Sequence, residues 1–531
     1  NNTNDPIQIR RYCVYNRIMP FDALIQLPLT IGRLFGSWFG QEFWLTRFIF
    51  IRALGSIYLV AFLGVLLETK ALIGSRGLLP AHLFLQHIKA AQGPMAFWKL
   101  PTLFWIHLSD QWMTILALTG VGLSAAILLG LSNGISLLMV WIIYMSFVHI
   151  GQVFYGYGWE SLLLEVGFLA IFLYPMFNLE NFPAHHPPPK LVMALLLWVL
   201  FRNMFGAGMI KIRGDACWRD LTCLSTHFET QPLPNPLSPW FHRLPAWVLK
   251  GGVLFNHVVE LLAPFGLLLT TPFRIIAGIL TAIFQIILII SGNLSWLNWL
   301  TLVLCIPCFD DRIWRRIIPQ SWLPSIPTDM GLSVMATSTQ WGLLGLGVLV
   351  AILSIQPIQN LFSSQQRMNA SYDPFHLVNS YGAFGSVGKE RFECIIKGTH
   401  DPNNDDWHEY EFPAKPGNPQ RNHPIIAPYQ PRLDWQIWFA AMGNINQNPW
   451  LVHLVAKLLK NDPIIQPLIH HNPFQKTTPK AIKIDLYRYT FSPKNNPAKW
   501  QRSYVGPYLP PITIHDPALL NYLAAHDWPS P

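Results

Sequence analysis

Long apolar runs separated by short polar stretches dominate the first two thirds of the chain. A helix rises about 1.5 Å per residue, so about 20 apolar residues are needed to cross the hydrocarbon core of a bilayer. Runs that approach this length predict about nine membrane-spanning helices. They lie near residues 48–67, 112–131, 135–150, 160–177, 191–210, 250–269, 273–292, 294–309 and 341–357.

Two apolar runs have proline interruptions that change their interpretation. The run 294–309 is short and contains Pro307, which predicts a re-entrant or broken helix. The run 18–40 contains Pro28 and several glycines, and it predicts an interfacial helix rather than a tenth span.

After Pro357 the long apolar runs end and prolines punctuate short stretches. The run Ile482–Phe491 alternates Ile, Ile, Leu, Arg and Thr with Lys, Asp, Tyr, Tyr and Phe, which predicts a half-exposed strand whose two faces differ. Similar short stretches lie at Phe392–Gly398, Trp407–Phe412 and Trp435–Phe439. The pattern therefore predicts a polytopic α-helical membrane domain over residues 1–357, followed by a β-rich soluble domain over residues 358–531.

Two helices are predicted within the C-terminal domain. One covers Pro449–Leu459 and the other Pro517–Ala525. Asp516 can cap the N-terminus of the second helix, and Pro517 suits its first helical position. A domain of about 170 residues can bury its own core.

The composition agrees with a membrane protein. Apolar residues make up 51% of the 531 residues and charged residues only 12%, with a positive mean hydropathy. The formal net charge of +9 is not accompanied by a block of Lys and Arg, so we expect contact with membrane lipids and not with nucleic acid. No particular oligomeric state is predicted.

One segment between two apolar runs is unusually polar. Residues 205–237, here called the polar segment, read FGAGMIKIRGDACWRDLTCLSTHFETQPLPNPL, and a short connection between helices does not need this composition. Its notable side chains are Lys211, Arg213, Asp215, Trp218, Arg219, Asp220 and Glu229. With a cytoplasmic N-terminus, nine spans put the loop 205–247 and the C-terminal domain together on the outer or lumenal side. Basic residues flank both sides of the predicted membrane, so the positive-inside rule decides little by itself.

The predicted outer placement suggests a structural role for two cysteines. Cys217 and Cys223 are close enough in the chain to form a disulfide in an oxidising compartment; two free thiols are the alternative. Cys305 and Cys308 form a CIPC arrangement, but no second pair or histidine cluster supports a zinc or redox site.

Ionisable residues within the apolar runs are costly in a bilayer and need a partner or a polar cavity. These residues are Arg52, Glu160, Glu165, Arg202, His257 and Glu260. Ion pairs between helices are the simpler use, with Arg52 and Arg202 as the partners of the glutamates. The alternative is a polar cavity that holds a headgroup or a substrate.

Evidence for catalysis is weak. His257 and Glu260 share a helical face, but a di-metal site requires a second matching pair, so no metal site and no cofactor are predicted. Common catalytic motifs are missing from the sequence. The remaining candidates for a catalytic role are Lys211, Glu160, Glu165, Arg202 and His257. Lys211 is a possible base if it is desolvated, although a lysine at a helix end more often snorkels.

Several long strings resemble the lipase maturation factors, in the same order along nearly the whole chain. They are RALGSIYLVAFLGVLLETKALIGSRGLLPA (52–81), GYGWESLLLEVGF (156–168), FRNMFGAGMIKIRGDACWRDLTCLSTHFETQPLPNPLS (201–238), NSYGAFG (379–385) and EYEFPAKPGNP with APYQPRLDWQIWFAAMG (409–443). The polar segment corresponds to the signature region of that family.

The resemblance implies a polytopic endoplasmic-reticulum membrane protein with a lumenal C-terminal domain. It implies a folding factor for secreted lipases, such as lipoprotein, hepatic and endothelial lipase, and not a lipase. A weaker likeness to the membrane part of vitamin K-dependent carboxylases implies an alternative, an enzyme that acts on a lipid or protein in an intramembrane cavity. Asn- and Gln-rich stretches also suit a bacterial homologue with a periplasmic C-terminal domain.

The expected mechanism is binding of a client rather than turnover. Exposed aromatic side chains of the C-terminal domain are the candidate client contacts, although each of them suits the core equally well. The candidates are Trp407, Trp435, Trp438 and Phe439. A transporter would require an internal repeat, which the hydropathy pattern lacks.

Overall fold

The computed structural model describes residues 42–322, except 179, 181 and 184, and residues 337–528. The run 18–40, for which the sequence predicts an interfacial helix, lies outside these residues.

Helices form the described part of the chain up to residue 362. They are α1 Trp44–Ile73, α2 Ala81–Gln92, α3 Ala96–Lys99, α4 Asp110–Leu129, α5 Gly134–Ile150, α6 Gly158–Ile171, α7 Lys190–Arg213, α8 Ala216–Arg219, α9 Leu224–Thr230, α10 Ser238–His242, α11 Ala246–His257, α12 Ala263–Leu267, α13 Thr271–Ser291, α14 Leu297–Cys305, α15 Asp311–Ile317, α16 Thr337–Leu353 and α17 Ile355–Phe362. A π-helical turn, Val258–Leu262, joins α11 to α12.

The helical region is of the membrane type, as predicted. Among the described residues, six helical segments are long and apolar enough to cross a bilayer by length and composition. They are Trp44–Ile73, Asp110–Leu129, Lys190–Arg213, Ala246–Leu267, Thr271–Ser291 and Thr337–Phe362. The predicted number of nine is therefore not confirmed.

Three of the predicted spans are shorter helices. The runs 135–150 and 160–177 contain α5 and α6, which are about 26 Å and about 21 Å long. The run 294–309 contains α14, which continues into a 3-10 turn over Ile306–Cys308, so Pro307 lies in the last turn and does not divide the helix. Almost every side chain of α6 is buried by its neighbours. A helix covered on all sides is apolar all round, and sequence alone does not separate it from a lipid-exposed span.

Residues 363–528 combine strands with helices. The strands are β1 Ala370–Ser371, β2 Asn379–Ser380, β3 Arg391–Thr399, β4 His408–Glu409, β5 Ala481–Phe491 and β6 Trp500–Thr513. The antiparallel sheet has the order β4-β3-β5-β6, and β1 pairs with β2 separately. The helices are α18 Arg432–Ala440, α19 Pro449–Leu459 and α20 Pro517–Ala525.

The predictions for this region succeed where the local pattern is strong. The predicted strand Ile482–Phe491 and the helices α19 and α20 are confirmed. Asp516 caps α20, since its carboxylate accepts a hydrogen bond from the amide of Ala518 at 2.9 Å.

Other predictions for the C-terminal domain need correction. Trp435–Phe439 lies within α18, where Leu433, Ile437 and Ala440 are buried at helical spacing. The stretch Trp407–Phe412 contributes only His408–Glu409 to the sheet. The region is therefore a mixture of helices and sheet rather than predominantly β.

The C-terminal domain packs against one end of the helical region. His453 bonds the carbonyl of Leu78 at 2.8 Å, and Arg76 lies 3.1 Å from Asp462. The predicted domain boundary after residue 357 falls inside α17, which continues to Phe362.

Candidate functional site

The polar segment attaches the C-terminal domain to the helical region. Its first residues continue α7 as far as Arg213, so the loop predicted for residues 205–247 begins only at Gly214. Asp215 accepts a hydrogen bond from the amide of Val387 at 2.7 Å. The indole nitrogen of Trp218 donates to the carbonyl of Phe384 at 2.9 Å.

Other polar side chains of the segment bond the backbone of the helical region or of the C-terminal domain. Arg213 donates to the carbonyl of Leu361 at 2.6 Å, and Glu229 accepts from the amide of Phe491 at 2.8 Å. Arg219 donates to the carbonyl of Ile212 at 2.7 Å, whereas Asp220 is exposed. The density of polar residues in this segment thus reflects contacts with the protein's own backbone.

Cys217 and Cys223 form a disulfide, with their Cα atoms 4.7 Å apart. It closes the turn that begins at α8, where Trp218 is buried. Cys305, Cys308 and Cys394 are buried free thiols.

Glu165 and Arg202 form a buried ion pair between α6 and α7. The same carboxylate accepts hydrogen bonds from the amide of Asn379 at 3.0 Å and from the hydroxyl of Tyr381 at 2.5 Å. The start of the C-terminal region is therefore anchored on this pair.

Glu160 has a partner from the C-terminal domain. Nη1 of Arg432, at the start of α18, lies 2.7 Å from its carboxylate, and both side chains are fully buried. The hydroxyl of Tyr144 also donates to Glu160. The sequence interpretation had offered Arg52 as a partner, but the Arg52 guanidinium lies 3.5 Å from the ring centroid of Phe48.

Lys211 and Glu260 form a third buried pair, with 2.6 Å between Nζ and the carboxylate. Asn256 accepts a hydrogen bond from Lys211 at 2.9 Å. His257 does not join Glu260 in a shared site, since its Nε2 lies 2.9 Å from the carbonyl of Trp218. Among the described residues, no group of three His, Cys, Asp or Glu side chains could hold a metal ion.

The five candidate catalytic residues thus do not converge on one place. Glu160, Glu165 and Lys211 each have an oppositely charged partner within the protein. By contrast, the buried Nδ1 of His257 has no hydrogen-bond partner among the described residues.

A cleft lies where the two regions and the polar segment meet. It has a volume of about 560 Å³ and mostly apolar walls. Aromatic side chains form one wall, namely Tyr157, Trp159, Trp435, Trp438 and Phe439. The opposite walls come from the polar segment and from the loop 381–388, including His227 and Phe384.

The aromatic residues predicted as client contacts occupy different environments. Trp435 is only 4% exposed and packs against Trp159, with ring centroids 5.1 Å apart, so it is mainly a core residue. Phe439 is 41% exposed and Trp438 is partly buried, and both line the cleft. Trp407 lies away from the cleft walls and under Lys483, whose Nζ is 4.5 Å from its ring centroid.

His227, in the polar segment, lines the cleft and has a shifted pKa. Burial, together with the positive charge of nearby Lys211, lowers the pKa of His227 to about 4. The imidazole is therefore neutral at neutral pH, which keeps this wall of the cleft uncharged.

Several residues of the site were not singled out in the sequence. Arg432 and Asn379 lie in strings that resemble the family, yet no local pattern marks their roles. Their partners Glu160 and Glu165 are more than 200 residues away in the chain. The available signal in the sequence is that glutamates within apolar runs require a cationic partner.

Comparisons with known proteins give a consistent result. The family model for the lipase maturation factor transmembrane domain matches residues 45–316, and the model for the lipase maturation factor C-terminal domain matches residues 377–510. Lipase maturation factor 1 of Mus musculus is 44% identical over 525 residues, which cover 92% of this chain and 90% of that protein.

More distant relatives extend the match. Lipase maturation factor 1 of Homo sapiens is 42% identical over an alignment of 520 positions that covers 92% of this chain and 91% of that protein. Lipase maturation factor 2 of Rattus norvegicus is 29% identical over an alignment of 605 positions that covers 90% of this chain and 84% of that protein. No solved structure matches the chain.

Proposed function

This chain belongs to the lipase maturation factor family, and we propose that it assists the folding and assembly of secreted lipases or similar secreted clients. The proposal places the protein in the endoplasmic reticulum membrane, because the relatives named above come from animals. The bacterial inner membrane is the less favoured location.

The observation that carries the proposal is the apolar cleft at the junction of the two regions. Its aromatic wall offers a large area for contact with a partly folded chain, in which apolar side chains are not yet buried. Phe439 and Met442 supply exposed apolar surface beside it. A client held there is shielded from aggregation while it pairs or folds.

The topology that suits this role has nine crossings, with the three shorter helices included. The amide of Trp44 donates to Asp311 at 2.8 Å, so the start of α1 and the residue that follows the α14 turn share one end of the bundle. The amide of Gly134 likewise donates to the carbonyl of Pro175 at 2.9 Å, which brings together the start of α5 and the end of α6. With a cytoplasmic N-terminus, the cleft, the disulfide and the C-terminal domain are then lumenal.

The alternative of a membrane enzyme is less well supported. It requires an uncompensated base or acid in a polar cavity, whereas Glu160, Glu165 and Lys211 are each neutralised by a partner and His257 does not line the cleft. Ion pairs of this kind suit a closed structural core.

Restoration of lipase activity in cells tests the proposal. Cells that lack their own lipase maturation factors would express this chain together with a dimeric secreted lipase, and the activity and mass of secreted lipase would be measured. We expect a severalfold rise in activity per unit mass. Unchanged activity, in cells where the full-length chain accumulates in the endoplasmic reticulum, contradicts the proposal.

A further inference from the structure

A second cavity of about 150 Å³ lies next to the cleft, on the side of the helical region. Its lining comes mainly from α7, α11, the π-helical turn, α13 and α14, and the polar segment and the loop 381–388 complete it. A cavity of this size admits a benzene-sized group. Its apolar walls include Leu224, Phe255, Phe284 and Leu288.

Polar groups face this cavity from several helices, and one of them lacks a partner. Asn298, on α14, is 2% exposed, and its Oδ1 has no hydrogen-bond partner among the described residues. Gln285, on α13, is also buried, and among the described residues its Nε2 donates to the sulfur of Met204, a weak acceptor, at 3.6 Å. A buried amide without a partner is costly, so such a group marks a place for a further molecule.

The charged groups at the cavity cancel one another. Lys211 and Glu260 both line it and are 2.6 Å apart, with Asn256 bonded to both. The π-helical turn carries Glu260 to this position, and such turns occur frequently at functional sites. A charged ligand would find no counter-charge here, whereas a neutral polar ligand does not need one.

The inner cavity adjoins the cleft. Asn203, Ala207, His227, Leu294, Leu297 and Phe384 are among the residues that line both. A head group in the inner cavity can therefore continue into an apolar chain that lies along Leu294 and Leu297 toward the cleft.

We propose that the inner cavity binds the glycerol head of a single-chain neutral lipid, a monoacylglycerol. Its hydroxyl groups donate and accept hydrogen bonds, so they satisfy Asn298 and Gln285 in either orientation of the amides. The acyl chain occupies apolar space along the wall shared with the cleft. A fatty acid of the same length is disfavoured, because its carboxylate is left without a cation.

Photolabelling of the full-length chain in phosphatidylcholine nanodiscs tests this site. The probe is a monoacylglycerol with a diazirine in its acyl chain and a terminal alkyne. We expect labelled peptides from α7, from residues 294–297 at the start of α14 and from the loop 381–388, and we expect Asn298→Leu to reduce this labelling at least fivefold. Asn298→Leu is expected to fold, since it removes an acceptor that has no partner.

A pair of glycine variants supplies a matched control. Gly252 lines the cavity, and a Cβ there would lie 2.7 Å from Cδ1 of Leu224, another side chain of the cavity wall, while a Cβ on the neighbouring Gly251 meets nothing within 4 Å. Both lie in α11, so Gly251→Leu and Gly252→Leu change helix propensity equally. We expect a fivefold loss of labelling in Gly252→Leu and none in Gly251→Leu, with the size-exclusion profile reporting the fold of each.

Competition identifies the head group. Unlabelled monoacylglycerol is expected to compete at least tenfold better than the fatty acid of the same chain length. Equal competition by the fatty acid overturns the proposal, and so does labelling that is confined to lipid-facing helices or is unchanged in Asn298→Leu.

Discussion

The guanidinium of Arg432 and the carboxylate of Glu160 form a fully buried ion pair at 2.7 Å, although 272 residues separate them in the chain. Glu160 belongs to the helical region and Arg432 to the C-terminal domain. The pair is thus a fixed point between the two parts of the molecule that enclose the cleft. Its loss should loosen the cleft itself.

Removal of one member of this pair should strongly destabilise the protein. Arg432→Met leaves the buried carboxylate of Glu160 without its cation, which costs about 3–5 kcal/mol. The double variant Arg432→Met with Glu160→Gln should lose less than the sum of the two single variants. The unfolding midpoint of the purified full-length chain measures both effects.

Arg76→Met is the control, because Arg76 also links the two regions but is largely exposed. Its loss should cost less than about 1 kcal/mol. Equal destabilisation by Arg76→Met and Arg432→Met contradicts the role given to the buried pair.

Thiol labelling tests the lumenal placement of the polar segment. Protein from cells, denatured in maleimide without reductant, should be labelled at Cys305, Cys308 and Cys394. Cys217 and Cys223 should be labelled only after reduction, because an oxidising compartment preserves their disulfide. Peptide mass spectrometry reads out each site. Full labelling of Cys217 and Cys223 before reduction would count against a lumenal segment.

Gly206 should be intolerant of even a methyl group. A Cβ at this position of α7 would lie 2.4 Å from the carbonyl oxygen of Tyr381, so Gly206→Ala forces α7 away from the loop that bounds the cleft. We expect a lower unfolding midpoint, with a loss of about 1–3 kcal/mol. Gly251→Ala, where the space is open, should instead be neutral or raise the midpoint through its better helix propensity. A similar response of the two variants refutes this explanation.

Acid should lower the free energy of unfolding through His227, which lines the cleft. The pKa of this imidazole is about 4 in the folded protein, below the ordinary 6.5, because burial and Lys211 disfavour its charged form. Between these pH values the unfolded chain binds more protons than the folded one, so stability falls as the pH drops from 6.5 toward 4. The two pKa values correspond to at most roughly 3 kcal/mol.

His227→Gln isolates that contribution. The pKa of His423 is likewise lowered to about 4 by burial and by Arg391, so part of the acid sensitivity should remain in the variant. The slope of the unfolding midpoint between pH 6.5 and 4 should be shallower in His227→Gln than in the unaltered chain. An identical slope shows that His227 is not a source of the effect.

Local sequence patterns predict those helices and strands whose defining residues lie in or next to the element itself. The alternation of residues 482–491 lies inside β5, and the cap at Asp516 directly precedes α20. The number of spans is less predictable, because α6 is apolar for a different reason, namely burial by other helices.

The site itself is set by long-range contacts, which local patterns do not contain. The sequence indicates that Glu160 needs a cation, but its partner Arg432 comes from another domain. Trp435 reads equally well as surface or core, and packing against Trp159 decides the matter. The polar segment is prominent in the sequence, and three of its side chains, Asp215, Trp218 and Glu229, bond the backbone of the C-terminal region.

Site-specific photocrosslinking tests most directly whether a client binds at the cleft. A photoreactive benzoylphenylalanine would replace Met442, which lines the cleft and is 58% exposed, in cells that co-express a secreted lipase. The control carries the same group at Val505, which is 51% exposed on the edge strand β6 and is absent from the cleft lining. We expect a lipase adduct from position 442 and at most a trace from position 505. Adducts of equal yield at both positions, or an adduct from position 505 alone, would contradict binding at the cleft.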